Sequence, residues 1–237
     1  MGASMITTRF NPSTNGGIHI GHVYALLVNE HLAHDNGGKF YIRFDDTSQG
    51  VHLDMKHPEL APEIMRHQRE DLEWLDIPVD GWQAQSDIQA EAWEMMMPRY
   101  AIIKDPHPHY LPVSIRLGNS WEPYPYTPFQ TAERVCMDRM LGITHVIRSE
   151  EFLTEYALYC YFCDVFGYPR PEFIFLPRLQ GKYGNISKTN GGYTISEMRG
   201  DGYSVSDIKR MLELACLIWP NNGWNIYNLR SNPRIDL

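Results

Sequence analysis

The sequence predicts an α/β fold in which a parallel β-sheet carries helices on both faces. Short runs rich in β-branched and aromatic residues alternate along the chain with longer helix-forming segments, the order typical of a parallel sheet. The 237 residues suffice for one sizeable α/β domain. Hydrophobic residues make up 43% of the chain and charged residues 21%, as expected for a globular core.

Local signals give the elements in chain order. The predicted strands are 5–10, 39–44, 143–147 and 173–176, and the predicted helices are 20–33, 58–75, 86–100, a helix after Ser149, and 206–218. Asn36, Gly37 and Gly38 supply a stop for the first helix. Ser86 with Asp87 supplies an N-cap for the third. Ser149 is expected to cap the next helix and Gly167 to end it. Glu150 and Glu151 would lie in its first turn, where the positive end of the helix dipole favours acidic side chains.

Two stretches fit this alternation poorly. Residues 103–128 are rich in Pro, His and Tyr without a clear period, and residues 181–192 are rich in Gly and Asn. No internal repeat is visible. We therefore expect one α/β domain over residues 1–220, followed by a loose tail over 221–237.

Composition narrows the class of protein. No apolar run is long enough for a membrane span, and the first residues lack the basic and apolar regions of a secretory signal. The net charge of -8 argues against tight non-specific binding of nucleic acid. A dinucleotide-dependent oxidoreductase is disfavoured, because no G-x-G-x-x-G follows a predicted strand with an acidic residue downstream.

The four cysteines favour buried thiols rather than a metal site. Cys160 and Cys163 lie in an apolar stretch of helical length, and Cys136 and Cys216 do not provide a second ligand pair at metal-binding spacing. We expect no structural metal, and a reducing, cytoplasmic setting.

The tetrapeptide His19-Ile20-Gly21-His22 stands where the first helix begins. A helix N-terminus presents free N–H groups and a positive potential to phosphate. Two imidazoles can donate hydrogen bonds to oxygens that gain charge during displacement at phosphorus, and Gly21 lets the backbone approach a nucleotide. The same four residues could stand by chance on a surface turn, but their position between a strand and a helix favours a site.

A second candidate element is Ser187-Lys188 in a Gly-rich loop far downstream. Lys188 suits a triphosphate as a point charge, and the flanking glycines would allow a loop to close. By itself this pair is also typical of an ordinary solvated loop.

Together these elements resemble the two signatures of class I aminoacyl-tRNA synthetases, and further segments resemble the glutamyl/glutaminyl subgroup. These are TRFNPSTNGGIHIGH, GGKFYIRFDDT, MRHQREDLEWLDI, LGITHVIRSEEFL, FGYPRPEFIFLPRL and NISK, in that order along the chain. The resemblance implies a Rossmann-type (HUP-like) catalytic domain that forms an aminoacyl adenylate from ATP, with Mg²⁺ accompanying the ATP.

The resemblance also implies roles for the phosphate-binding residues. His19, Gly21 and His22 would bind ATP and stabilise the pentacovalent transition state at the α-phosphorus. The ISK element, Ile186 to Lys188, would close over the β- and γ-phosphates. The carboxylate attacks directly, so catalysis rests on positioning and on charge stabilisation.

The implied amino-acid pocket contains charges of both signs. Arg9 and Arg148 match positions that hold carboxylates, whereas Asp45 and Asp46 would hold the α-ammonium, with Ser13 nearby. An arginine at position 148 distinguishes glutamyl from glutaminyl enzymes and favours glutamate. Without the resemblance, surface ion pairs would be the simpler interpretation of both arginines.

The sequence departs from the family pattern at several points. Gln130 stands where a substrate-contacting tyrosine is usual, and Met137 precedes Asp138 where two acids are usual, so glutamate specificity is open. The acceptor-binding insertion is reduced to 103–128, and no anticodon-binding domain is expected. Glutamyl-queuosine tRNA(Asp) synthetases resemble this reduction but carry a cysteine-rich metal site that is not found here.

The leading hypothesis is an adenylate-forming ligase that activates an amino acid, with glutamate favoured. Its acceptor would be a tRNA end, contacted minimally, or another carrier. The alternatives are a ligase with a non-tRNA acceptor and a non-catalytic protein that binds an amino acid or nucleotide.

Overall fold

The computed structural model describes residues 5–47, 58–100, 114–117, 120–123, 128–181, 184–185 and 193–216. Its strands are β1 (Thr7–Phe10), β2 (Lys39–Phe44), β3 (Gly81–Ala84), β4 (Ser114–Leu117), β5 (Ser120–Pro123), β6 (His145–Ser149), β7 (Glu172–Leu176), β8 (Gln180–Gly181) and β9 (Gly184–Asn185). Its helices are α1 (Ile20–Asp35), α2 (Ala61–Trp74), α3 (Gln85–Tyr100), α4 (Pro128–Met140), α5 (Leu153–Phe166), α6 (Ile195–Gly200) and α7 (Val205–Cys216). Short 3₁₀ turns over Pro58–Leu60 and Glu150–Phe152 precede α2 and α5.

Parallel strands form the centre of the molecule, as the sequence predicts. Strand β2 pairs in parallel with β1 on one side and with β3 on the other, and β6 pairs in parallel with β7. Strands β1 and β6 contact each other and begin side by side, where Thr144 N–H donates to the Thr7 carbonyl at 3.0 Å. The carboxyl ends of β1, β2 and β6 therefore lie at one edge, where α/β sheets bind ligands.

Two apolar clusters cover the two faces of these strands. One combines α1, α2, α6 and α7 with β2, and the other combines α3, α4 and α5. Neighbouring residues of β7 show the division, since Phe173 packs against the second cluster and Ile174 against the first. The predicted α/β fold with helices on both faces is thus confirmed.

Several elements differ from the prediction. Strand β3 and helices α4 and α6 were not expected, and the predicted helix 58–75 divides into a 3₁₀ turn and α2. The proposed cap at Ser86 is wrong, because α3 begins at Gln85 and the Asp46 carboxylate accepts from Ser86 N–H at 2.9 Å. Ser149 lies at the N-cap position but makes no capping hydrogen bond with its side chain.

Two other local predictions are confirmed, the helix stop at Gly167 and the buried thiols. Gly167 ends α5 with φ of 68°, a left-handed conformation that favours glycine. Cys136, Cys160 and Cys163 are buried free thiols, and burial raises the pKa of Cys136 and of Cys163 to about 12. No helix among the described residues is long and apolar enough to cross a membrane. The predicted tail 221–237 lies outside the described residues.

Candidate active site

The N-terminus of α1 is built by its two histidines. His19 is the N-cap, and its Nδ1 accepts from Gly21 N–H at 3.1 Å, while His22 Nδ1 accepts from His19 N–H at 3.3 Å. The two rings stack with centroids 3.6 Å apart. Because Nδ1 of each ring accepts a hydrogen bond, a neutral His19 or His22 carries its proton on Nε2, where it can donate.

This helix end suits an anion. The first turn of α1 contains no acidic residue, so no carboxylate there offsets the positive end of the helix dipole. A Cβ atom at Gly21 would lie 3.0 Å from His19 Cε1, so a side chain at this position would press on the capping ring. The tetrapeptide therefore lies where the sequence places it, at the start of α1.

The segment after the predicted lid loop packs against this cap. Thr194 forms an isolated antiparallel bridge with His19, and Ile195 N–H donates to the Ile18 carbonyl at 2.8 Å. Ile186, Ser187 and Lys188 lie outside the described residues. The chain thus returns to His19 six residues after Lys188, a contact that sequence reasoning did not foresee.

Asp138 on α4 is the centre of a buried charge network. Its carboxylate accepts from Arg9 Nε at 3.0 Å and Arg9 Nη2 at 3.2 Å, from Arg43 Nη1 at 2.8 Å, and from Tyr159 Oη at 2.8 Å. Burial alone would raise the pKa of Asp138, but the charges of Arg9 and Arg43 outweigh it and hold the pKa at about 2. Arg9, predicted to bind a substrate carboxylate, is here a bidentate partner of Asp138.

Arg43 was not singled out from the sequence, although it is fully buried on β2. Asn11 is a second partner of Arg43. When the Asn11 amide is oriented with its oxygen towards the guanidinium, this oxygen accepts hydrogen bonds from Arg43 Nη2 at 2.6 Å and from Arg43 Nε at 3.1 Å. Arg43 thus joins the loop after β1 to α4 through Asn11 and Asp138.

The predicted acidic pair separates into two roles. Asp45 is buried and accepts from Arg134 Nη2 of α4 at 2.6 Å. Asp46 accepts from Ser86 N–H and Oγ at the start of α3. Ser13 forms a parallel bridge with Asp45, so the loops after β1 and β2 run side by side at the ligand edge.

The remaining predicted contacts lie on α4 and after β6. Gln130 is in the first turn of α4, half-buried. Arg148, at the end of β6, donates from Nη1 to Glu155 Oε2 and lies 4.3 Å above the Phe152 ring. Glu155 is a buried carboxylate on α5 that the sequence did not reveal as a partner of Arg148.

No cluster of three or more His, Cys, Asp or Glu side chains that could hold a metal ion occurs among the described residues. The structure offers an edge with a histidine-capped helix on one side and buried Arg–Asp pairs on the other.

This fold and edge define a class I synthetase catalytic core. The sequence matches the family described as tRNA synthetases class I (E and Q), catalytic domain, over residues 5–100 and 99–218. The chain belongs to this family.

Individual relatives are distant. A glutamate–tRNA ligase of Methanocaldococcus jannaschii is 24% identical over 240 residues, covering 71% of this chain and 40% of the relative. A glutamate–tRNA ligase of Thermococcus onnurineus is 25% identical over 263 residues, covering 79% of this chain and 43% of the relative. The chain thus spans about two fifths of the length of these relatives.

Solved structures show the same fold. A glutamate tRNA ligase from Elizabethkingia meningosepticum, in complex with its amino acid, superposes with a TM-score of 0.70 at 18% identity over 98% of this chain and 67% of that one. A tyrosyl-tRNA synthetase from Aeropyrum pernix gives 0.61 at 12% identity over 79% of this chain and 58% of that one.

Proposed function

We propose that this chain forms an aminoacyl adenylate from ATP and an amino acid and transfers the aminoacyl group to an acceptor. The observation that carries the proposal is the pair of stacked histidines that cap α1 at the ligand edge of a class I synthetase fold. Glutamate is the acid in the names of the relatives and is the first amino acid to test.

In the proposed reaction, a carboxylate oxygen of the acid attacks the α-phosphorus of ATP. A P–O bond forms to that oxygen, the α–β bridging P–O bond breaks, and pyrophosphate leaves with the electron pair, so no proton is transferred. His19 and His22 donate from Nε2 to oxygens that gain charge in the transition state, and the N-terminus of α1 adds its dipole. Mg²⁺ brought in with ATP would neutralise phosphate charge.

Ser187 and Lys188 are assigned to the β- and γ-phosphates and the leaving pyrophosphate. The supporting observation is the bridge from Thr194 to His19, which returns the chain to the cap shortly after these residues. The acceptor is proposed to be a tRNA end or another carrier, in a reducing compartment such as the cytoplasm. The buried thiols of Cys136, Cys160 and Cys163 suit that setting.

The test is ATP–pyrophosphate exchange with each of the twenty amino acids, with and without total tRNA. Exchange with one amino acid and no RNA identifies an activating enzyme, whereas exchange only with RNA identifies a tRNA-dependent one. Lys188→Ala and the double variant His19→Ala/His22→Ala should each lower exchange by about 10²–10³-fold, the usual loss of an oxyanion donor. Lys39→Ala, at the exposed start of β2, and His67→Ala, at an exposed position on α2, are the matched controls. Undiminished exchange in Lys188→Ala refutes its assignment.

A binding protein without catalysis is the second candidate. It is favoured by the intrachain partners of Arg9, Asp45 and Arg148, since these residues already have counter-charges. ATP binding by calorimetry without exchange for any acid would support this alternative over the ligase.

A further inference from the structure

Helix α2 binds the loop, residues 11–18, that leads into the histidine cap of α1. Gln68 of α2 is buried, and its Nε2 donates to the Ser13 carbonyl at 2.8 Å and to the Gly16 carbonyl at 2.7 Å. Both amide hydrogens are used in this way, so the loop is bound at two points. His19, the N-cap of α1, follows Gly16 by three residues, and this loop therefore reaches the cap directly from its contacts with α2.

The same helix also binds the start of α6. Ser196 Oγ donates to Asp71 Oδ1 at 2.7 Å, and Asp71 lies three residues after Gln68, on the same side of α2. Arg199 of α6 adds a second contact, because its guanidinium lies 5.5 Å from the centre of the Trp74 ring of α2. Helix α2 is therefore joined to two segments that are far apart in sequence.

The start of α6 in turn contacts the loop and the cap. Ile195 N–H donates to the Ile18 carbonyl at 2.8 Å, and Thr194 forms an antiparallel bridge with His19. A Cβ atom at Gly17 would lie 3.1 Å from Thr194 Cγ2, so glycine at this position allows the two segments to approach closely. The loop, α2 and α6 thus contact one another in pairs, and the cap at His19 lies where the loop meets α6.

We propose that Gln68 and Asp71 are positioning residues for ATP, because α2 holds both the loop before the His19 cap and the start of α6 that bridges to it. The inference rests on the proposed function, in which the cap binds the ATP phosphates. Gln68 and Asp71 are 1% and 3% exposed, so they act through the loop and α6 rather than by touching the nucleotide. Losing either set of hydrogen bonds would let the cap shift away from the oxygens that it must contact.

The first experiment measures ATP binding by Gln68→Met and Ser196→Ala. Gln68→Met keeps the length of the side chain but removes both donors, and Ser196→Ala removes the hydroxyl that donates to Asp71. Calorimetry with a non-hydrolysable ATP analogue gives the dissociation constant, and ATP–pyrophosphate exchange gives the KM for ATP. We expect both constants to rise about fivefold in each variant, the effect of one lost hydrogen bond. Ser196 is exposed, so its variant preserves the test if Gln68→Met does not fold.

Thr144→Val is the matched control for Gln68→Met. Thr144 Oγ1 joins β6 to β1 through hydrogen bonds with the Thr7 backbone, at the amino ends of these strands and thus at the opposite edge from the cap. This variant should lower the melting temperature but leave the dissociation constant for the analogue unchanged. If Thr144→Val weakens binding as much as Gln68→Met does, the loss reflects general stability and the inference is overturned.

Further variants test the hydrogen bond between α6 and α2. Ser196→Thr keeps the hydroxyl and should restore wild-type affinity for the analogue. Ser204→Ala is the control, because Ser204 Oγ donates at 2.5 Å to Asp207 within its own segment, and it should also bind as the wild type does. In Asp71→Ala, the further change Ser196→Ala should have no additional effect, since the shared hydrogen bond is already lost. An undiminished effect of Ser196→Ala in that background overturns the role of Asp71.

The two measurements separate this inference from the proposed function. Weaker binding of the analogue by Gln68→Met and Ser196→Ala, without exchange by the wild type for any amino acid, supports the inference and refutes adenylation. Exchange by the wild type, with unchanged binding of the analogue by both folded variants, supports adenylation and refutes the inference. A wild type that does not bind the analogue overturns both.

Discussion

Replacing Asp138 with asparagine should destabilise the protein more than any single exposed ion pair can. Asp138 accepts four hydrogen bonds, two from Arg9, one from Arg43 and one from Tyr159. The side chains of Arg9 and Arg43 are 5% and 0% exposed, so both guanidinium groups would stay buried without this counter-charge. Breaking a buried pair in this way costs about 3–5 kcal/mol. That loss is a large part of the roughly 5–15 kcal/mol that stabilises a domain.

Urea unfolding followed by circular dichroism measures this loss. Asp164→Asn is the control, because Asp164 and Arg170 form a similar Asp–Arg pair whose side chains are 55% and 53% exposed. Exposed pairs are screened by water and contribute little, so this control should unfold like the wild type. If Asp138→Asn unfolds at the same urea concentration as Asp164→Asn, the buried network does not stabilise the fold as argued.

The same residue gives a pH dependence with a defined sign. The folded-state pKa of Asp138 is about 2 against an ordinary value of 3.8. A depressed carboxyl pKa stabilises the folded state above the ordinary value, and this contribution is lost as pH falls from about 4 through 2. The shift corresponds to about 2 kcal/mol. Asp138→Asn should lack this part of the acid transition, and an unchanged acid slope would contradict it.

Two further predictions concern the first βα unit. Gly38→Ala should destabilise the fold strongly, because a Cβ atom at this position would lie 1.7 Å from the Ile6 carbonyl oxygen. Gly200→Ala is the control and should be tolerated, because a Cβ atom there meets no atom within 4 Å. The urea concentrations at the unfolding midpoints of the two variants measure the difference. The pKa of His34 is raised: partial burial opposes the charged ring, but hydrogen bonds and charges of Asp80 and Glu30 outweigh it. Charged His34 therefore stabilises the folded state below about pH 6.5, and this stabilisation is lost as pH rises through the raised pKa. NMR titration of the His34 ring should give a pKa above 6.5, and Asp80→Asn should lower that pKa.

Elements with strong local signals could be predicted from the sequence. Strand β2 was predicted with its observed bounds, and α1 ends within two residues of its predicted stop. Helix α4 was missed for a physical reason. Its residues 131–138 are all buried, including Glu133, Arg134 and Asp138, so the polar side chains that would normally mark a solvent face instead face the interior.

The candidate site likewise has one part that could be predicted from the sequence and one part that could not. The cap at His19 and His22 is a local structure of adjacent residues, and the sequence predicted its position. The counter-charges come from far along the chain: Arg134 is 89 residues from Asp45, and Asp138 is 129 residues from Arg9. No spacing rule connects such residues, because only the packing of α4 against the sheet brings them together.

Because the two parts of the candidate site lie on different elements, the acid that it binds can vary independently of ATP binding in the proposed function. In the proposed site, helix geometry at the start of α1 would hold the ATP phosphates, whereas charges that α4 and α5 contribute to the same edge would hold the acid. We therefore expect that substitutions on one face of α4 can change the acid that binds without disturbing the binding of ATP. Arg134 beside Asp45 and Glu155 beside Arg148 place counter-charges at both ends of the expected glutamate pocket, so the acid must be found by measurement at this edge rather than taken from the relatives' names.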